Sequence, residues 1–278
     1  MVTLILSILL STTASASTNQ AVQDRIDADL ASGQPIVVHV VVALCDNVNQ
    51  GIVKVPEAIG NGQDPRSNLY WGALYGLKTH LPRKGGWATI AVEKPADPRI
   101  LERIVLYTRV KRGAASVPVY IVADAWDGKF IKDSLRTYLQ LCAGNATEQV
   151  TMTHDEKSVK LRAGGAAHLL AYVGHNGLME FSLASPKSSA ANAPARSALI
   201  LACASKPYFS DHLHAANAHP LLLNTGLMAP EAYTVDSAIR AWVSQQSTAS
   251  VVEAAAGAYH QYQQCGIKGA RRLFWGAP

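Results

Sequence analysis

Apolar positions along the chain gather into short runs rich in valine, leucine and isoleucine, and these runs alternate with segments of helical spacing. PIVVHVVVALCDN, VPVYIVADAW, HLLAYV, SALILAC and PLLLN are the runs, bounded by Gly, Ser, Asn and Pro. Runs with no polar face fit strands buried on both sides, so strands are expected near 36 to 44, 117 to 123, 168 to 174, 197 to 203 and 220 to 225. Between them, AVQDRIDADLASG closes on Gly33, and GKFIKDSLRTYLQLCAG spaces Phe130, Ile131, Leu135, Tyr138 and Leu139 on one helical face. LYWGALYGLKTHL puts Leu69, Tyr70, Ala73, Leu74 and Leu77 together, with Pro82 as its stop. PEAYTVDSAIRAWVSQQ and SVVEAAAGAYHQYQQCG read as two late helices, opened by Pro230 and closed by Gly266. WATIAVEKP and ILERIVLYTRVKR fit two strands or a hairpin near a sheet edge. NATEQVTMTHDEKSVKLRAGG fits a small hairpin or an exposed connection. The alternation predicts an α/β protein, a three-layer α/β/α sandwich of about five or six strands in a mostly parallel sheet.

Two of the predicted strands finish in reactive side chains. HLLAYVGHNGLMEF delivers His175, and after the linker SPKSSAANAPAR the run SALILACASK delivers Cys203. In a parallel sheet, ligands bind in the crevice beyond the carboxyl ends of the strands, so this His and Cys can converge there as base and nucleophile. Each has a plainer role available: a Cys ending an apolar run can be a small core hydrophobe, and a Gly-flanked His can be a surface turn.

Gly174-His175-Asn176-Gly177 and Ala202-Cys203 resemble the paired motifs of the caspase and legumain type of cysteine peptidase, in which one hydrophobic strand ends in His-Gly and the next in Ala-Cys. The likeness runs over roughly 35 to 243 in the order of elements, and it departs from the family pattern in having Asn176 directly after the His. It implies a caspase-hemoglobinase-like sandwich and acyl transfer on a polypeptide substrate by His175 and Cys203, with no metal or cofactor. Backbone N–H groups near Gly177 and Cys203 would hold the oxyanion, and Asp46, Asn47 and Arg66, in the loop after the first strand, would help form the pocket for the residue before the cut bond. Asp46 and Asn47 equally suit turn capping. Two other classes stay open: a binding or scaffold domain with an unused Cys-His pair, for which Asn176 speaks, and a non-peptidase hydrolase working through Asp124 and Asp127, which also suit helix capping.

Composition narrows the partners. With 49% hydrophobic and 16% charged residues the chain is globular, and 17 to 278 reads as a single domain. A net charge of +5 is spread thinly, with KR at 111–112 and RR at 271–272 as its doublets, so no nucleic-acid-binding stripe is present. Residues 1 to 16, an apolar stretch ending in Ala14-Ser15-Ala16, read as a signal peptide, which implies an exported protein with Ser17 first. No other run reaches the ~18 apolar residues of a membrane span. Cys45, Cys142, Cys203 and Cys265 contain no CxxC pair, and a Cys142–Cys265 bridge is compatible with export. Asp211, His212, His214 and His219 have metal-ligand chemistry, but no helical register puts the three histidines on one face, and an exposed polar loop accounts for them.

Overall fold

The computed structural model describes residues 18–187 and 193–278; the predicted signal peptide, 1 to 16, lies outside the described residues. A first helix, α1 (18–31), leads into β1 (Ile36–Ala43), every residue of which is buried. β1 is the middle of an eight-stranded sheet. It pairs in parallel with β7 (Leu169–Val173) on one side and β4 (Ala115–Trp126) on the other. Beyond β7 follow β8 (Ser197–Leu201) and β9 (His219–Asn224), also parallel. The five apolar runs therefore form five parallel neighbours, in the order β9-β8-β7-β1-β4.

Antiparallel strands extend the sheet at both edges. β2 (Ala88–Glu93) and β3 (Ile100–Arg112) form a hairpin that continues β4, and β10 (Phe274–Trp275) pairs with β9. A separate hairpin, β5 (Thr147–His154) and β6 (Lys157–Gly164), fills the segment before β7. Among the described residues the main sheet has eight strands where about five or six were expected: the two runs read as strands or a hairpin near a sheet edge are β2 and β3, the segment read as a small hairpin is β5 and β6, and the two-residue β10 was not foreseen.

Side-chain alternation along β1 feeds two cores. Val38, Val40 and Val42 pack with α1 and with α2 (Leu77–Lys84), α5 (Ala232–Val243), α6 (Thr248–Gln263) and α7 (Ile267–Leu273). Val37, Val41 and Ala43 pack with α3 (Ile131–Cys142) and α4 (Ser205–Ala215). Helices cover both faces of the sheet, and among the described residues none is long and apolar enough to cross a membrane.

Three helical expectations need correction. The helix expected from Leu69 begins only at Leu77, because the chain turns tightly first: Ala73 N–H reaches Asn68 O at 3.0 Å and Leu77 N–H reaches Tyr70 O at 2.9 Å. Pro82 lies inside α2 rather than ending it. The expected polar loop carrying Asp211, His212 and His214 is the helix α4, anchored by buried Phe209 and Leu213 one turn apart. The Cys142–Cys265 bridge that the sequence left open is not formed: all four cysteines are free, Cys142 buried and Cys265 exposed.

Buried polar groups at the sheet's amino end explain one pH response. His168 accepts the Val37 N–H at Nδ1, 3.1 Å, so its proton is on Nε2 and is donated to Asp29 Oδ2 at 2.9 Å. Burial lowers the His168 pKa from 6.5 to about 4. The unfolded ring takes up a proton that the folded ring refuses, so stability falls as pH drops from 6.5 to 4. At about 1.4 kcal/mol per pH unit the loss is roughly 3 kcal/mol. Thermal denaturation is expected to show that fall in the wild type and a flatter profile in His168→Asn; equal slopes between pH 6.5 and 5 would rule it out.

Candidate functional site

The carboxyl ends of β7, β8, β1 and β9 bring the candidate chemistry to one edge. Gly174 ends β7 with φ +154°, in a place where a Cβ would meet Ala43 O at 2.9 Å. His175 follows, almost wholly buried, with its carbonyl accepting the Tyr172 hydroxyl at 2.8 Å. Its Nε2 is hydrogen-bonded to the Glu180 carboxylate, and Glu180 Oε1 also accepts Gly51 N–H at 3.0 Å. A Cβ at Gly51 would lie 2.4 Å from that same oxygen, so a side chain there would displace the Glu180 carboxylate from its present place. Glu180 thus fixes the imidazole to the loop that follows β1.

Cys203 closes β8 and is partly exposed. Its Sγ receives Met228 N–H at 3.5 Å and faces Met228 O at 3.6 Å. The next residue, Ala204, is the N-cap of α4 and holds a left-handed backbone, φ 46° and ψ 39°. A non-glycine residue in that region is strained, and such strain clusters at functional turns. Asn176 joins the two strand ends: its Nδ2 donates to Cys203 O at 2.8 Å and its Oδ1 accepts Leu178 N–H at 3.2 Å. The residue that breaks the family pattern is therefore a strut between the His and Cys segments.

The other predicted residues have local partners. Gly177 N–H is directed at His175 O, 3.2 Å away. Asp46 Oδ1 accepts Val48 and Asn49 N–H at 2.9 and 3.0 Å, and its Oδ2 accepts Asn49 Nδ2 and Gln63 Nε2, each at 2.8 Å. Burial alone would raise the Asp46 pKa, but these donors hold it below the ordinary carboxylate value. Asn47 braces the loop through Val55, by Nδ2 to O at 2.8 Å and Oδ1 from N at 3.0 Å. Arg66 is exposed and bonded to Asp64 at 2.9 Å. Asn176 ties the turn after β7 to the turn after β8 through the Cys203 carbonyl, while the His175 ring is held by Glu180 and the Cys203 sulfur by Met228; Asp46 and Asn47 organise the loop after β1, and Arg66 lies out in solvent.

Sequence reasoning missed Glu180, Tyr172 and Met228. Glu180 had a signal, as the one acid in GLMEF five residues after His175. Met228 had none, because its contact with Cys203 runs through backbone atoms of a loop beyond β9. Asp124 and Asp127, the alternative acid pair, are engaged elsewhere. Asp127 caps the turn at Lys129 N, 3.1 Å, and Asp124 is buried between Arg103 and His39. The cavity of about 250 Å³ beside Asp124, lined also by Asp97, Arg99 and Trp126, lies among β3, β4, α3 and the β5–β6 hairpin and includes neither His175 nor Cys203. Among the described residues no group of three His, Cys, Asp or Glu side chains is arranged to hold a metal ion.

No protein-family model, no curated protein and no solved structure matches this chain.

Proposed function

We propose that the protein is a cysteine-dependent peptide hydrolase of caspase-like architecture, acting through His175 and Cys203. One observation carries the reading: these residues end β7 and β8, adjacent parallel strands, at the edge where such sheets bind ligands, and the Asn176 side chain links the two ends at 2.8 Å. Glu180 on Nε2 leaves Nδ1 of a neutral His175 as the basic ring nitrogen. In the proposed cycle His175 takes the Cys203 thiol proton and Sγ attacks the peptide carbonyl. The imidazolium then gives that proton to the leaving amine, and water hydrolyses the thioester.

The surface around the edge supports a polypeptide substrate. Among the described residues eight large apolar side chains are exposed, and six of them, Val48, Val53, Leu74, Tyr75, Met179 and Leu227, belong to loops that follow β1, β7 and β9.

A second reading, a binding domain with an unused dyad, has one observation in its favour. Gly177 N–H is already committed to His175 O at 3.2 Å, so that oxyanion donor would have to turn. Alkylation separates the two. The hydrolase reading expects Cys203 to react with iodoacetamide at neutral pH much faster than exposed Cys265, and expects His175→Ala to remove that difference. Equal, slow labelling of Cys203 and Cys265 would leave only the binding domain.

A further inference from the structure

Glu231 stands out among the buried acids. The described residues contain four buried carboxylates, Asp46, Asp124, Asp127 and Glu231. Asp124 is paired with Arg103 at 2.6 Å and Asp127 with Lys129 at 3.2 Å, while Asp46 spends both oxygens on four donors. Glu231 receives Tyr233 Oη at 2.6 Å and Gln263 Nε2 at 2.9 Å, both on Oε2. Among the described residues Oε1 has no donor and no Lys or Arg is paired with the group. Burial pushes the Glu231 carboxyl above its ordinary value, as expected of a buried acid without a cation.

Tyr233, whose hydroxyl bonds the carboxylate at 2.6 Å, belongs to a cluster of aromatic rings. Tyr233 and Tyr262 stack at 4.1 Å, and Tyr75, itself 38% exposed, meets them edge-on at 5.9 and 5.4 Å. A buried carboxylate tied to one ring of a tyrosine cluster has the chemistry that holds an ammonium or guanidinium, by charge and by cation–π attraction. The group is also tied to the nucleophile. Met228 touches Cys203 Sγ through N and O, and Glu231 is three residues further on, no more than about 11 Å along the chain. The segment folds back on itself, with Glu231 N–H on Ala229 O at 2.9 Å, and Ala232 N–H fastens it to Tyr75 O at 2.9 Å.

We propose that Glu231 Oε1, with Tyr75, Tyr233 and Tyr262, is a subsite for the cationic side chain of an arginine or lysine in the polypeptide substrate. The proposal rests on the reading of Cys203 as the nucleophile of that edge.

The test is a pair of short peptide amides that differ only in arginine or citrulline, its neutral isostere, titrated into the full protein by NMR. Binding is read whether or not Cys203 performs chemistry, and hydrolysis of the matching anilides is followed separately. Arginine should bind at least about tenfold more tightly than citrulline, with lysine closer to arginine, and Glu231→Gln should erase the difference. Equal binding of arginine and citrulline to the wild type overturns the subsite, even if both anilides are cleaved. Selective binding without cleavage keeps the subsite and overturns the hydrolase. Free arginine binding as tightly as the peptide would assign the site to a small cation and overturn the peptide assignment.

Discussion

Arg103→Ala is expected to destabilise the fold by about 3–5 kcal/mol, the cost of leaving one half of a buried ion pair without its partner. Arg103 lies between two carboxylates: Nε and Nη2 meet Asp124 at 2.6 and 2.8 Å, and Nη1 and Nη2 meet Glu148 at 2.5 and 3.0 Å. The two acids are not equivalent. Glu148 is 42% exposed and can rehydrate, whereas the Asp124 side chain is 4% exposed and would keep only His39 Nε2 at 3.1 Å. His39 cannot supply a full charge, because its Nδ1 accepts the Gly164 N–H at 2.9 Å and the ring is therefore neutral. Burial would raise the Asp124 pKa, but the bonds from Arg103 and His39 hold it at about 2 against 3.8 when free. Its stabilising share is thus complete above pH 3.8 and is lost as pH falls toward 2. Urea denaturation should place Glu148→Gln within about 1 kcal/mol of wild type, and the double change Arg103→Ala with Asp124→Asn should be milder than Arg103→Ala alone. A loss below 1 kcal/mol in Arg103→Ala would mean that water from the adjoining cavity solvates Asp124 instead.

That network also shows what could be read from the chain beforehand. The five parallel strands were legible because burial on both faces forces continuous apolar runs, and IVVHVVVA admits no other placement. His39, set among those valines, carried no hint of Arg103 or Asp124, since its partners arrive from β4 and from the end of β6. Periodicity failed from 69 to 76 for a related reason. The spacing is helical, but Gly72 and Gly76 permit turns in which their Cα atoms pack directly on the carbonyls of Arg66 and Trp71. At the candidate site, His175 and Cys203 could be named because each terminates a run. Glu180, Met228 and Glu231 could not be given roles, because those depend on which loops the sheet order makes neighbours. Asn176 was legible only as a departure from a family pattern, because its use as a strut depends on the sheet order setting the turn after β8 beside it.

On the proposed hydrolase mechanism, Cys203→Ala and His175→Ala are each expected to abolish peptide hydrolysis almost completely, and the double mutant is expected to be scarcely worse than either. Groups that act in one step are not additive: without the thiol the base has nothing to deprotonate, and without the base the thiol is a weak nucleophile. Stability separates this from a structural explanation. Cys203 is partly exposed and its Sγ contacts are to Met228 backbone atoms, so truncation should cost on the order of 1 kcal/mol or less. Cys142, the fully buried last residue of α3 in the second core, supplies the contrast, because Cys142→Ala leaves a cavity and should lower the melting temperature more. Three outcomes of kinetics and calorimetry on the same samples discriminate. Lost hydrolysis with a melting temperature near that of wild type identifies Cys203 as the nucleophile. Retained hydrolysis assigns the chemistry to another residue. A fall in melting temperature as large as that of Cys142→Ala would make Cys203 a packing residue, because the α4 turn with its left-handed Ala204 would then depend on the thiol for its shape rather than present the thiol to a substrate.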